Sequence, residues 1–214
     1  MSFTMNITSI TCNYDLPDFF RRVIGMTLTS VSFAKGTLLR SDTLSFQGTG
    51  DMVLTFYDAR EDKHHSARLS PKGKESMAGN LYGFELQDLG AERRFDLMGF
   101  GFGALIHEHN TGKDVVRVYA IGEDRKYDIV DLTRDDLLFW FGEADILPKS
   151  IPVDIRTLEF IVFEFATAEF FYLSSEGEGY YRAFFEPTVA PRQFICGEDF
   201  KAMEKAPQML EIFE

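Results

Sequence analysis

The stretch Thr157-Leu158-Glu159-Phe160-Ile161-Val162-Phe163-Glu164-Phe165 decides the fold. Successive side chains of a strand point to opposite faces. Here both faces are apolar: Leu158, Phe160 and Val162 on one, Ile161, Phe163 and Phe165 on the other. A strand buried on both sides is central and covered by a second layer. Downstream, Phe170 to Leu173 and Tyr180 to Phe185 pair about the turn Ser174-Ser175-Glu176-Gly177-Glu178-Gly179. Upstream, Ala104 to His109 and Val115 to Ile121 make a hairpin about Asn110-Thr111-Gly112-Lys113.

The N-terminal third reads as an antiparallel meander. Ile7 to Cys12 is an opening strand or arm. Met26, Leu28, Val31 and Phe33 mark one strand, and Leu38 to Phe46 a second. A turn at Gln47-Gly48-Thr49-Gly50-Asp51 leads into a third strand, Met52 to Tyr57. Three short helices are expected. In the first, Asp15 caps, Pro17 suits the first turn, and Phe19, Phe20, Val23 and Ile24 form a stripe that Gly25 ends. The second runs from the N-cap Thr133 to Gly142, and the third from Glu198 to Lys205. No strand–helix–strand alternation occurs, which sets aside a doubly wound fold. The fold class is therefore α+β and β-rich, a predominantly antiparallel sheet or partial barrel with two or three short helices. One domain over 1–214 is expected. The polar stretch 58–80 reads as a flexible loop, so the alternative to one domain is a subdivision near 70–80, or near 146–153 at Pro148 and Pro152.

Composition narrows the function. Of the 214 residues 45% are hydrophobic and 26% charged, which sets aside a disordered chain or a fibre. No apolar run reaches the length of about 18 that crosses a bilayer. The first residues lack a basic leader, so a cytoplasmic location is expected. Cys12 and Cys196 make no framework, and both are expected reduced. The net charge of −12 excludes nucleic acid as the main partner, because phosphate contacts need a basic face. That charge is uneven. Residues 1–75 carry nine Lys/Arg against eight Asp/Glu, and residues 76–214 carry 13 against 26. Phenylalanine, 22 residues, supplies either a thick aromatic core or an exposed aromatic face. Closure of the aromatic strands around a cavity would add a carrier of apolar small molecules.

All four histidines fall in two pairs, His64-His65 and His107-Glu108-His109. Residues two apart on a strand share a face, so His107 and His109 can present two imidazoles to one divalent transition metal, with His64 or His65 and an acid such as Asp114 completing the set. The pattern Gly101-x5-His107-x-His109-x4-Asp114-x7-Gly122 resembles the first sequence motif of the cupin family. That resemblance implies a metal-dependent enzyme in a small β-barrel. The motif's glutamate is Asp114 here, its closing glycine falls one residue late, and no histidine follows position 109. His64-His65 reads as plain surface or a pH-responsive contact. Gly99-Phe100-Gly101-Phe102-Gly103 lacks the Lys-Ser/Thr end of a phosphate loop and precedes a strand. Glu159 with Glu164 is a carboxylate pair with an ordinary strand-end reading.

The segment Glu123 to Asp145 holds eight acids against Arg125, Lys126 and Arg134, around Leu137-Leu138-Phe139-Trp140-Phe141. Acids at a rim steer a basic partner, and a buried Trp supplies affinity. Asp131, Asp135, Asp136, Trp140, Glu143 and Asp145 are thus the expected partner-binding residues. A non-catalytic binding or inhibitor protein is the leading reading, with no cofactor. It has the general character of small immunity proteins of bacterial toxin systems. A cupin-like metal barrel and a self-associating structural subunit are the alternatives.

Overall fold

The computed structural model describes residues 10–13, 18–40, 45–76, 79–91, 113–130, 150–177, 179–186 and 208–214. Their elements are β1 (Ile10–Asn13), α1 (Phe19–Arg22), β2 (Thr27–Arg40), β3 (Ser45–Asp58), β4 (Lys63–Ser76), β5 (Gly79–Gly90), β6 (Lys113–Val130), β7 (Ser150–Arg156), β8 (Phe160–Phe165), β9 (Phe170–Gly177), β10 (Tyr180–Glu186) and β11 (Gln208–Phe213). Six of them pair in a closed antiparallel ring, in the order β2, β3, β10, β9, β8, β6 and back to β2. The expected partial barrel is thus a complete one. Its closing seam is short: Thr27 opposite Asp114 and Leu28 opposite Lys113, extended by backbone bonds between Val115 and both Gly25 and Met26.

A six-stranded ring is narrower than the eight-stranded one that side chains just fill, so its interior must be solid. Phe56 of β3, Phe163 of β8 and Phe171 of β9 point inward and are fully buried. Their rings meet at 5.7 Å (Phe56–Phe163) and 6.2 Å (Phe163–Phe171). Helix α1 lays Phe19 on Phe56 at 5.9 Å and Phe20 on Phe163 at 6.4 Å. It plugs the barrel with aromatic rings, so the strands enclose a packed core where a carrier would need a lumen. Among the described residues this four-residue helix is the only one. Two or three short helices are therefore not borne out: the described apolar residues alternate with the period of a strand. The segments expected as the second and third helices lie outside the described residues. In α1 the apolar stripe is as expected, and Gly25, at φ +80°, ends it. Asp18 stands at the N-cap without a side-chain cap bond.

Strand β8 is central, as its two apolar faces require. Ile161, Phe163 and Phe165 join the barrel core, while Val162 joins Ile121, Phe170 and Tyr172 in a second cluster on the outer face. Leu158 departs from the expected alternation and packs with the inner set. The cause is an interruption at residues 157–159, where Glu159 N–H bonds to Ile121 O at 2.9 Å and Ser175 N–H to Glu159 O at 2.9 Å. Before it β7 pairs with the far half of β6, and after it β8 pairs with the near half. Gly122 makes the crossing possible, because a Cβ there would lie 2.0 Å from Thr157 O.

The expected turn at 47–51 and the expected loop at 58–80 are both corrected. Residues 45–58 form the single strand β3. Its glycines serve packing: a Cβ on Gly48 would lie 2.1 Å from the buried Tyr181 ring. Gly50, at φ +81°, marks where one edge of β3 changes partner, from β10 at Phe46 to Thr49 to β4 at Met52 to Asp58. Residues 63–76 form β4, paired with β3 and β5. The turn is only Ala59 to Asp62. Beyond the ring, β1 runs parallel to β7, and β11 covers β6 from Val118 to Glu123. Pro152, with no N–H to give, stands one residue before β1 begins to pair with β7 at Val153.

Gly122→Ala is expected to destabilise the chain by about 1–3 kcal/mol, because a backbone carbonyl cannot yield as a side chain can. Phe163→Ala is expected to cost about 3–5 kcal/mol. Urea melts of the two variants beside the wild type check both.

Candidate functional site

The structure describes the residues that flank the expected recognition segment. Asp131, Asp135, Asp136, Trp140, Glu143 and Asp145 lie outside the described residues, but all fall in the one connection, 131–149, between β6 and β7. The last pair before it is Val130 opposite Ser150. Directly opposed strand residues stand about 5 Å apart, so the connection leaves and re-enters the fold at one point. That point is the tip of a three-stranded arm of β1, β7 and the far half of β6. Ile151, Val153 and Ile155 are buried on the arm. Lys126, Asp128 and Pro152 are exposed on it, and Lys126 pairs with Asp154 at 3.2 Å.

His107 and His109 also lie outside the described residues. Asp114 is described: it is exposed at the barrel seam, where its carboxylate accepts a hydrogen bond from the Thr27 hydroxyl. Among the described residues no three His, Cys, Asp or Glu side chains come together as metal ligands. Glu159 and Glu164 are engaged separately. Glu159 accepts from the Thr157 hydroxyl at 3.0 Å. Glu164 accepts from the Tyr119 hydroxyl at 2.8 Å and from Arg117 at 3.1 Å. Arg117 also pairs with Glu214 at 2.8 Å, tying the residue after β11 to the barrel wall. The bond to the Tyr119 hydroxyl, then the charges of Glu164 and Glu214, raise the Arg117 guanidinium above its ordinary range and hold it firmly charged.

A second polar group, which the sequence reading missed, surrounds the β3–β4 turn. Asp58 is buried and accepts three bonds from Arg60, from its backbone N–H at 2.9 Å, Nε at 3.0 Å and Nη2 at 2.9 Å. The side-chain bonds from Arg60, then its backbone bond, hold the Asp58 carboxyl down at about 2. The sequence signal was the spacing Asp58-x-Arg60, a side chain reaching two residues on along its own turn. Tyr57 donates to Asp62 at 2.7 Å, and that bond raises the phenol. The two adjacent histidines of β4 point to opposite faces. His64 packs its ring on Tyr57 at 5.2 Å, and His65 stands on the core side.

No protein-family model matches the chain, and no curated protein or solved structure matches it. Among the described residues no helix is long and apolar enough to cross a membrane.

A group whose carboxyl is lower in the fold than in the unfolded chain lends stability above its ordinary range, and loses it as the pH falls through the folded value. The contribution of Asp58 is therefore present at neutral pH and lost between about pH 4 and pH 2. Asp58→Asn should flatten the acid limb of stability in that window, measured as the unfolding midpoint against pH.

Proposed function

We propose that the chain is a non-catalytic binding or inhibitor protein of the immunity type, which takes a basic protein on the connection 131–149. The observation that carries this reading is the topology. The acidic, Trp-bearing segment lies in one connection whose flanking residues are held together by the β6–β7 pair. Loops held on a rigid scaffold are where recognition concentrates. In this reading Asp131, Asp135, Asp136, Glu143 and Asp145 steer the partner, and Trp140 anchors it. The overall charge of −12 acts at longer range in the same direction. The solid barrel serves as the support.

A metal-binding barrel is the second reading, favoured by one observation: the ring is closed, as the resemblance to cupins implied. Elemental analysis separates the two. About one equivalent of transition metal, absent from His107→Ala, would favour the metal barrel.

For the binding reading, the basic protein retained by the immobilised chain is first purified. Its association is then followed with wild type and with the double variant Asp135→Lys, Asp136→Lys. The association rate is expected to fall by on the order of tenfold at low salt, and its salt dependence to flatten. Trp140→Ala should act mainly on dissociation. An unchanged association rate in the charge variant would sink the reading.

A further inference from the structure

Among the described residues three large apolar side chains are exposed: Tyr82 (38%), Val116 (40%) and Tyr180 (51%). A single exposed ring is ordinary, but two of these three converge. Strand β9 ends in a bulge, where the register steps from Tyr181 opposite Ser175 to Tyr180 opposite Gly177. Glu176 is the extra residue, so Glu176 and Gly177 both stand against Tyr180. Tyr82 reaches the same place from β5: its Cε1 lies 3.9 Å from where a Cβ on Gly177 would be.

The two rings have little to lean on. Across the β4–β5 ladder Tyr82 faces Gly73, and across the β3–β10 ladder Tyr180 faces Thr49. The backbone that carries them is held from three sides. Gly50 N–H bonds to Gly179 O at 2.9 Å, Gly179 N–H to Pro71 O at 3.1 Å, and Ser175 N–H to Glu159 O at 2.9 Å. A platform fixed in advance loses little freedom when a ligand settles on it.

Charge decides what such a platform takes. Glu176 is exposed and accepts from the Ser174 hydroxyl at 3.4 Å. Arg182 stands one row further along β10, opposite Ser174. Lys72, the neighbour of Gly73, falls on the other face of β4 and is turned to Glu85 at 4.0 Å. Both tyrosines belong to the part of the chain, residues 76–214, that carries 13 Lys/Arg against 26 Asp/Glu. The face of a tyrosine ring is itself negative and attracts a cation. A guanidinium suits ring and carboxylate together, because it is flat enough to stack on the first and forked to meet the second.

We propose that Tyr82, Tyr180 and Glu176 form a seat for an arginine side chain displayed by a protein partner. The seat deepens the reading of a basic partner and rests on it for the source of the arginine. Its affinity for a guanidinium rests on the bulge alone.

The test therefore uses a small probe and needs no partner. The isotope-labelled full chain is titrated with N-acetyl-arginine amide, and the backbone amide shifts of Tyr82, Gly177 and Tyr180 are followed by NMR. Saturable shifts at these three amides are expected, with weaker binding at high salt. Tyr82→Ala, Tyr180→Ala and Glu176→Gln should each weaken binding about two- to fivefold. All three side chains are exposed, so the variants should keep the fold. N-acetyl-citrulline amide, the neutral isostere, should leave the amides nearly unmoved. Absence of saturable shifts, an equal response to the citrulline probe, or unchanged binding in both tyrosine variants would overturn the seat. Each of these outcomes leaves the 131–149 reading to its own association measurement, so the two fail separately.

Discussion

Closure of six antiparallel strands is the constraint from which the rest follows. So small a ring leaves no lumen, and its wall must be lined with side chains that fill the axis completely. Flat, rigid phenylalanine rings do this with few partners. Phe56, Phe163 and Phe171 come from the wall, and Phe19 and Phe20 from α1. Phe213 of β11 joins them at 5.6 Å from Phe20. Eight of the 22 phenylalanines thus have their place inside the barrel, as a filling.

Two long strands let so small a barrel carry more structure. β3 gives one edge first to β10 and then to β4. β6 gives its near half to β8 and its far half to β7. Each handover occurs at a glycine, Gly50 in one case and Gly122 in the other. The far half of β6 leads out of the barrel into the arm that bears the 131–149 connection. The connection proposed for recognition therefore follows directly on the strand that builds the core.

The doubly apolar run 157–165 made β8 legible as a central strand, and the paired aromatic segments made β9 and β10 legible beside it. The stripe of α1 and its stop at Gly25 were legible for the same reason, a clear period. What escaped were places where a local signal had a tertiary cause. Gly48 looks like part of a turn until Tyr181, more than a hundred residues away in sequence, is seen to need the space. β4 looks like a loop because its outward residues are charged or hydroxylic and its inward ones include the small Ala67 and the polar His65. The spacing Asp58-x-Arg60 was visible, but its importance depends on burial, which no local pattern reports.

The barrel's seam also sets the order in which the molecule can form. Thr27 and Asp114, which meet there, are 87 residues apart along the chain. Their meeting costs the entropy of closing that whole loop and returns only two facing residue pairs. The hairpins β3–β4 and β9–β10 close over short turns and can form early. The ring has to wait for this seam and for the still more distant pairing of β3 with β10, where Tyr180 opposes Thr49, so closure comes late. Until then the aromatic interior stands open to water and to neighbouring chains, which makes the interval before closure the stage most exposed to aggregation.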